Sequence, residues 1–229
     1  MKKIKLLKIF LPDGLEVAYR KIINAPFKIG VPSGFEPIKL SKSSVSAKFI
    51  EQTLSKELIT DPFGNTEEVI SKRYTITEFT ISKLRTDYLL TLENPSRSVR
   101  ELIRKLSEIL GADFYASAIK INILNLSDFI SKRTEAIHLK NTKALLSGVN
   151  LDEGSSATIE ITSLKDAILD AKHHFKNKSF KIERARFTSS SGTKKSTIEV
   201  RSTGLISVNG PEERQLAELI NIFITEELS

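Results

Sequence analysis

Residues 197–223 read TIEVRSTGLISVNGPEERQLAELINIF, and this run decides the class of fold. Ile198 and Val200 alternate with polar neighbours, as do Ile206 and Val208, and Ser202, Thr203 and Gly204 stand between the two pairs. Two short alternating runs around a glycine turn predict an antiparallel hairpin. Past Gly210 the period changes. Pro211 suits a first helical turn, since its φ is fixed and its missing N–H costs nothing there. Glu212 and Glu213 complement the positive end of the helix dipole, and Leu216, Leu219, Ile220 and Phe223 supply a buried stripe.

Working outward, residues 158–162 and 180–188 read as strands on either side of a second amphipathic stripe: Leu164, Ala167, Ile168, Ala171 and Phe175. Ser163 is its candidate N-cap, with Asp166 three residues on and an end near Asn177. The order β-α-β-β-β-α makes a compact domain. A third stripe, Val99, Leu102, Ile103, Leu106, Ile109 and Leu110, has Ser98 and Glu101 at capping-box spacing and Gly111 as its stop. Phe49, Ile50, Leu54 and Leu58 suggest a fourth helix over residues 44–58, weakened by its Ser and Thr content.

Residues 1–10 alternate as a first strand and run into the turn signature Pro12, Asp13, Gly14. Residues 74–81 form a strand whose apolar parity moves from Tyr74 and Ile76 to Phe79 and Ile81, which predicts a bulge near Thr77. Residues 88–92 return antiparallel to it. Residues 114–124 read as a long strand with Ile119, Ile121 and Ile123 on one side. Residues 26–44 and 131–156 are poorly periodic, and the second of these is the expected boundary. The expected architecture is α+β, with mixed or mostly antiparallel sheets, helices packed on one face and two small α/β subdomains: an N-terminal α+β domain over 1–147 and the β-α-β-β-β-α domain over 148–229.

The run from Ser202 to Gly210, followed by Pro211 and an amphipathic helix, resembles the strand, glycine and helix cadence of a TATA-binding-protein repeat over residues 197–223. That resemblance implies a concave sheet gripping nucleic acid with the helix behind it. The aromatic wedges that bend DNA in such proteins have no counterpart here, so no functional residue is carried over.

Chemistry-bearing motifs are scarce. The chain of 229 residues has no cysteine, which removes disulfides, thiolate nucleophiles and Cys-containing zinc sites. Ser190 to Ser196 imitates the end of a phosphate loop, but Phe187 stands where the leading glycine belongs and a strand follows. Of the three histidines, His173 and His174 point about a hundred degrees apart on a helix. His174 is expected to border the core and His173 to face solvent, while no motif ties His138 to a partner. No catalytic residue, metal ligand or cofactor is assigned, and the reading leans away from an enzyme. No run approaches the ~18 apolar residues of a membrane span, so no membrane partner is expected and the cytoplasm is the expected location.

Charge points further. The net charge is +7 and the pI about 9.4. Over residues 178–201, Lys178, Lys181, Arg184, Arg186, Lys194, Lys195 and Arg201 are opposed only by Glu183 and Glu199. Arg184 and Arg186 share one strand face. The expected function is therefore non-enzymatic binding of DNA or RNA, with Lys181, Arg184, Arg186, Lys194, Lys195 and Arg201 on the phosphate backbone. The alternative is a protein-interaction or self-assembling subunit of a larger cytoplasmic complex, whose basic residues guard an exposed sheet against aggregation.

Overall fold

The computed structural model describes residues 1–85, 87–96, 98–133, 139–176, 178–189 and 195–227. Among them are five helices and eleven strands, and every strand pairing whose register is described is antiparallel. The class is α+β, dominated by sheet. In chain order the elements are β1 (Lys2–Phe10), α1 (Gly14–Ile23), β2 (Ser33–Leu40), β3 (Ser44–Thr60), β4 (Thr66–Lys83), β5 (Tyr88–Glu93), α2 (Arg100–Leu110) and β6 (Tyr115–Ala118). Then follow α3 (Ile123–Arg133), β7 (Leu139–Asn150), β8 (Ser156–Thr162), α4 (Ala167–His174), β9 (Lys181–Ser189), β10 (Thr197–Arg201), β11 (Leu205–Asn209) and α5 (Glu213–Glu227).

Packing gathers the chain into two compact units, the larger made of residues 1–7 and 117–229 and the smaller of residues 8–116. In the larger unit the strand order is β1-β11-β10-β9-β7-β8. Its inward side chains alternate along five of the six strands: Ile4 and Leu6, Ile206 and Val208, Ile198 and Val200, Ala185 and Phe187, Ala144 and Leu146 are all buried, whereas β8 buries none. Against this core α4 packs on β7 and β8, α3 on β7 and β9, and α5 on β11. Phe129 of α3 meets Phe223 of α5 edge-on at 5.2 Å, and Arg133 lies over the Phe129 ring while pairing with Glu226 at 2.9 Å.

The smaller unit orders its strands β2-β3-β4-β5, with α1 against β2, β3 and α2. Phe35, Phe49 and Phe79 cluster at its centre with ring centroids 5.4 and 5.9 Å apart. The hairpin and closing helix at the C-terminal end lie where the opening stretch of sequence put them: Ile198 opposes Val208, Val200 opposes Ile206, and α5 buries Leu216, Ile220 and Phe223.

Several expectations are corrected. Residues 44–58 are strand, not helix. Val45, Ala47 and Phe49 are buried with a period of two. A spacing of four at 50, 54 and 58 is both even and close to 3.6, so it fits one face of a strand as well as one face of a helix. No bulge interrupts β4, because its register with β3 runs unbroken from Ser44–Ser82 to Thr60–Thr66. Residues 26–44 contain β2, an edge strand that tolerates Pro37 beside a register shift. The stretch 131–156, read as a boundary without structure, contains β7, and position 147/148 falls inside that strand. Residues 114–124 yield only the short β6, and α3 begins at Ile123, although Ile119, Ile121 and Ile123 are all buried. The N-cap of α4 is Asp166, whose carboxylate accepts from the N–H groups of Ile168 and Leu169; Ser163 precedes the helix and Leu164 is exposed.

Candidate nucleic-acid interface

In an antiparallel pair, directly opposed residues project to the same side of the sheet. The register of the larger unit therefore fixes which side chains share its outward face. One row crosses Thr162, Lys143, Arg186, Glu199, Ser207 and Lys3. The next crosses Glu160, Leu145, Arg184 and Arg201, and past the turn at 202–204 Leu205 pairs with Lys5. A third holds Lys140, Thr188, Thr197 and Asn209. Lys181 opposes Ser147 at the far end of β9, beyond a register shift that bulges Glu183. Six adjacent strands spaced about 4.8 Å apart make each long row roughly 24 Å across.

These rows bring together Lys181, Arg184, Arg186 and Arg201 from the sequence reading and add Lys3, Lys5, Lys140 and Lys143, which it did not select. Three acids answer them. Glu160 accepts from Arg184 at 2.7 Å and Lys143 at 3.2 Å. Glu199 accepts from Arg186 at 2.8 Å and lies 3.8 Å from Arg184. Glu183 accepts from Ser202 Oγ at 2.7 Å and Ser147 Oγ at 2.8 Å, and these hydroxyls hold its carboxyl below the ordinary glutamate value. The two arginines weighted most heavily from sequence are thus partly neutralised. The excess positive charge sits elsewhere on the face.

It sits chiefly at Lys5 and Arg201. Lys5 Nζ donates to the Thr203 carbonyl at 2.6 Å, and burial, then the nearby Arg201 charge, lower its pKa from the ordinary lysine value. Arg201 is exposed and has no carboxylate partner among the described residues. Two cations crowded without an acid between them make a local demand for an anion. Gly204 holds the turn that joins them. Its φ is +80°, and its carbonyl accepts from the Leu6 N–H at 2.9 Å.

Other candidates fall away from this face. Lys194 lies outside the described residues, as do Ser190 to Thr193 and His138, while Lys195 is exposed ahead of β10 with its carbonyl beside Gly210. On α2, Arg104 is paired with Glu101 and Glu108, and Lys105 with Glu108. His173 and His174 are both exposed, their rings edge-on at 5.7 Å, so His174 does not border the core. Among the described residues no cluster of three or more His, Asp or Glu side chains is placed to hold a metal ion, and no helix is long and apolar enough to cross a membrane. A cavity of about 570 Å³ opens beside the bulged end of β9, lined mainly by Ile119, Ile121, Ile123, Phe180 and Ile182, with Lys181, Glu183 and Ser202 at its polar side.

No family model matches the chain. No curated protein matches it either. Among solved structures it is similar to DynU16, from the dynemicin biosynthetic locus, at 11% identity over 98% of this chain and 95% of that one, with a TM-score of 0.17. A likeness that distant carries no argument about fold or function.

Proposed function

We propose that the protein binds the phosphate backbone of nucleic acid through the outward sheet face of the larger unit. One observation carries this reading: eight basic side chains, Lys3, Lys5, Lys140, Lys143, Lys181, Arg184, Arg186 and Arg201, share that face with three acids, Glu160, Glu183 and Glu199. The excess of five is most of the chain's net +7. Against it stands the view that the basic residues merely keep an open sheet soluble. The rows hold no aromatic side chain, so the chemistry on offer is attraction to phosphate, not base stacking.

Titrating duplex and single-stranded oligonucleotides across a salt series tests the proposal. Arg201→Gln should weaken binding equally across sequences and lower the log–log salt slope by about 0.9 for each phosphate left without its cation. Glu199→Gln should tighten binding, because it frees Arg186 and removes a repelling charge. A face serving only solubility predicts no gain from Glu199→Gln. Absence of binding at low salt would end the proposal.

A further inference from the structure

β3 and β4 stay paired well past the end of the smaller unit's core. The last buried residues before the hairpin tip are Phe49 on β3 and Thr77 on β4, yet the register continues to Thr60–Thr66. β2 accompanies β3 as far as Glu51, and the Gln52 N–H donates to the Pro32 carbonyl at 2.7 Å; beyond that the free ribbon, residues 53–73, is eight residue pairs long, roughly 27 Å at the strand rise. Its two faces differ. One presents, row by row, Ile50 with Ile76, Gln52 with Tyr74, Leu54 with Lys72, Lys56 with Ile70, Leu58 with Glu68 and Thr60 with Thr66. Leu58 is 74% exposed, Leu54 57%, Ile70 56% and Tyr74 54%, and Phe63 at the tip is 90% exposed. The opposite face is mostly polar, with Glu51, Thr53, Ser55, Glu57, Glu67, Ser71 and Arg73 beside the two apolar residues Ile59 and Val69. A two-stranded ribbon with an uncovered apolar face is marginal alone in water, and such a face marks an interaction surface.

The order of residues on that face identifies the occupant. Consider a twofold axis lying between two ribbons, at right angles to the strands and over the row of Lys56 and Ile70. It lays β3 on β3 and β4 on β4 in opposite directions. Leu54 then meets Leu58 of the second copy, and Lys72 meets Glu68 of the second copy, each pairing occurring twice. Ile70 meets its own equivalent, as does Lys56, whose charge Glu68 answers at 2.7 Å within each chain. A twofold axis along the strands instead sets Leu58 on Glu68 and Leu54 on Lys72, and loses both matches. We infer that two copies of the chain associate face to face through this ribbon, about the crossing axis. The inference is independent of nucleic-acid binding.

Size sets the strength. A face of two strands, about 10 Å wide and 27 Å long, buries roughly 550 Å² over both copies, below the ~1,200 Å² of standard stable interfaces. The dimer is therefore weak and reversible, and concentration governs it.

Sedimentation equilibrium of the full, nuclease-treated chain over a wide concentration series tests this. A reversible monomer–dimer equilibrium is expected. Leu58→Lys should abolish it, and Lys72→Glu or Glu68→Lys alone should weaken it about tenfold or more through like-charge repulsion. An equimolar mixture of the Lys72→Glu and Glu68→Lys chains should recover the wild-type constant, since opposite charges then face each other across the interface. Unchanged circular dichroism shows that the variants fold, and Lys72→Glu leaves the Lys56–Glu68 ion pair intact. A monomer at every concentration, association indifferent to these changes, or no recovery in the mixture overturns the inference.

Discussion

At Gly204 an added Cβ would lie 2.9 Å from the Leu6 carbonyl, on a backbone already at positive φ. Both effects act together, so Gly204→Ala should cost about 1–3 kcal/mol in a denaturant melt. The same turn positions Lys5, whose ionisation gives a second prediction. Its folded pKa lies below its unfolded value, so in the alkaline window between the two the unfolded chain holds more protons and stability rises with pH. Polyanion favours the ammonium, so affinity should fall through that window. Melts and titrations across the alkaline range should show both slopes, and Lys5→Gln should flatten them. The candidate face was half legible at this scale. Strand parity, which is local, put Arg184 and Arg186 on one side, and the run of basic charge added Arg201. Lys5 and Lys143 were not found, since they join the face only through pairing with strands far away in sequence. Glu160, which neutralises Arg184, entered by the same route.

Among the elements, the β3–β4 ribbon and the core it leaves should behave as different materials. Backbone amides of residues 53–60 and 66–73 should exchange far faster than those of residues 45–49 and 77–81, because little apolar burial resists local opening there. Leu58→Ala should change stability by less than about 0.5 kcal/mol, whereas Phe79→Ala, which empties the aromatic centre, should cost about 3–5 kcal/mol. Thermal and denaturant melts distinguish them. The ribbon also explains why its sequence misled. Hydrophobicity reports secondary structure only where it reports burial, and at Leu54, Leu58, Ile70 and Tyr74 it does not. α1 was missed for another reason: Leu15, Ala18 and Ile22 have helical spacing, but the Pro12–Asp13–Gly14 turn signal directly precedes them. Where period and burial agree, as along α2 and α5, element and sequence coincide, although the N-cap of α2 is Val99, with no side-chain cap, and not Ser98.

Taken whole, the molecule places its N-terminal strand within the unit built mainly from its last half. Ile4 and Leu6 are buried there, and Lys2 to Lys5 pair with Leu205 to Val208. Deleting residues 1–7 removes three buried aliphatic side chains, Ile4, Leu6 and Leu7, worth about 1.5–3 kcal/mol each, and one neighbour of β11. Set against a typical total of ~5–15 kcal/mol, that loss should strip protection from the amides of β9 to β11, as read by hydrogen exchange. The pairing has a consequence in time. Lys5 and the Thr203 carbonyl it binds are 198 residues apart, which at ~5–20 residues per second separates their synthesis by roughly 10–40 s. Throughout that interval the edge of β1 that β11 will cover has no strand beside it, and a holding chaperone has its best opportunity there. Ribosome stalling before β11 would leave β1 and β10 without the strand they share, and so with adhesive edges.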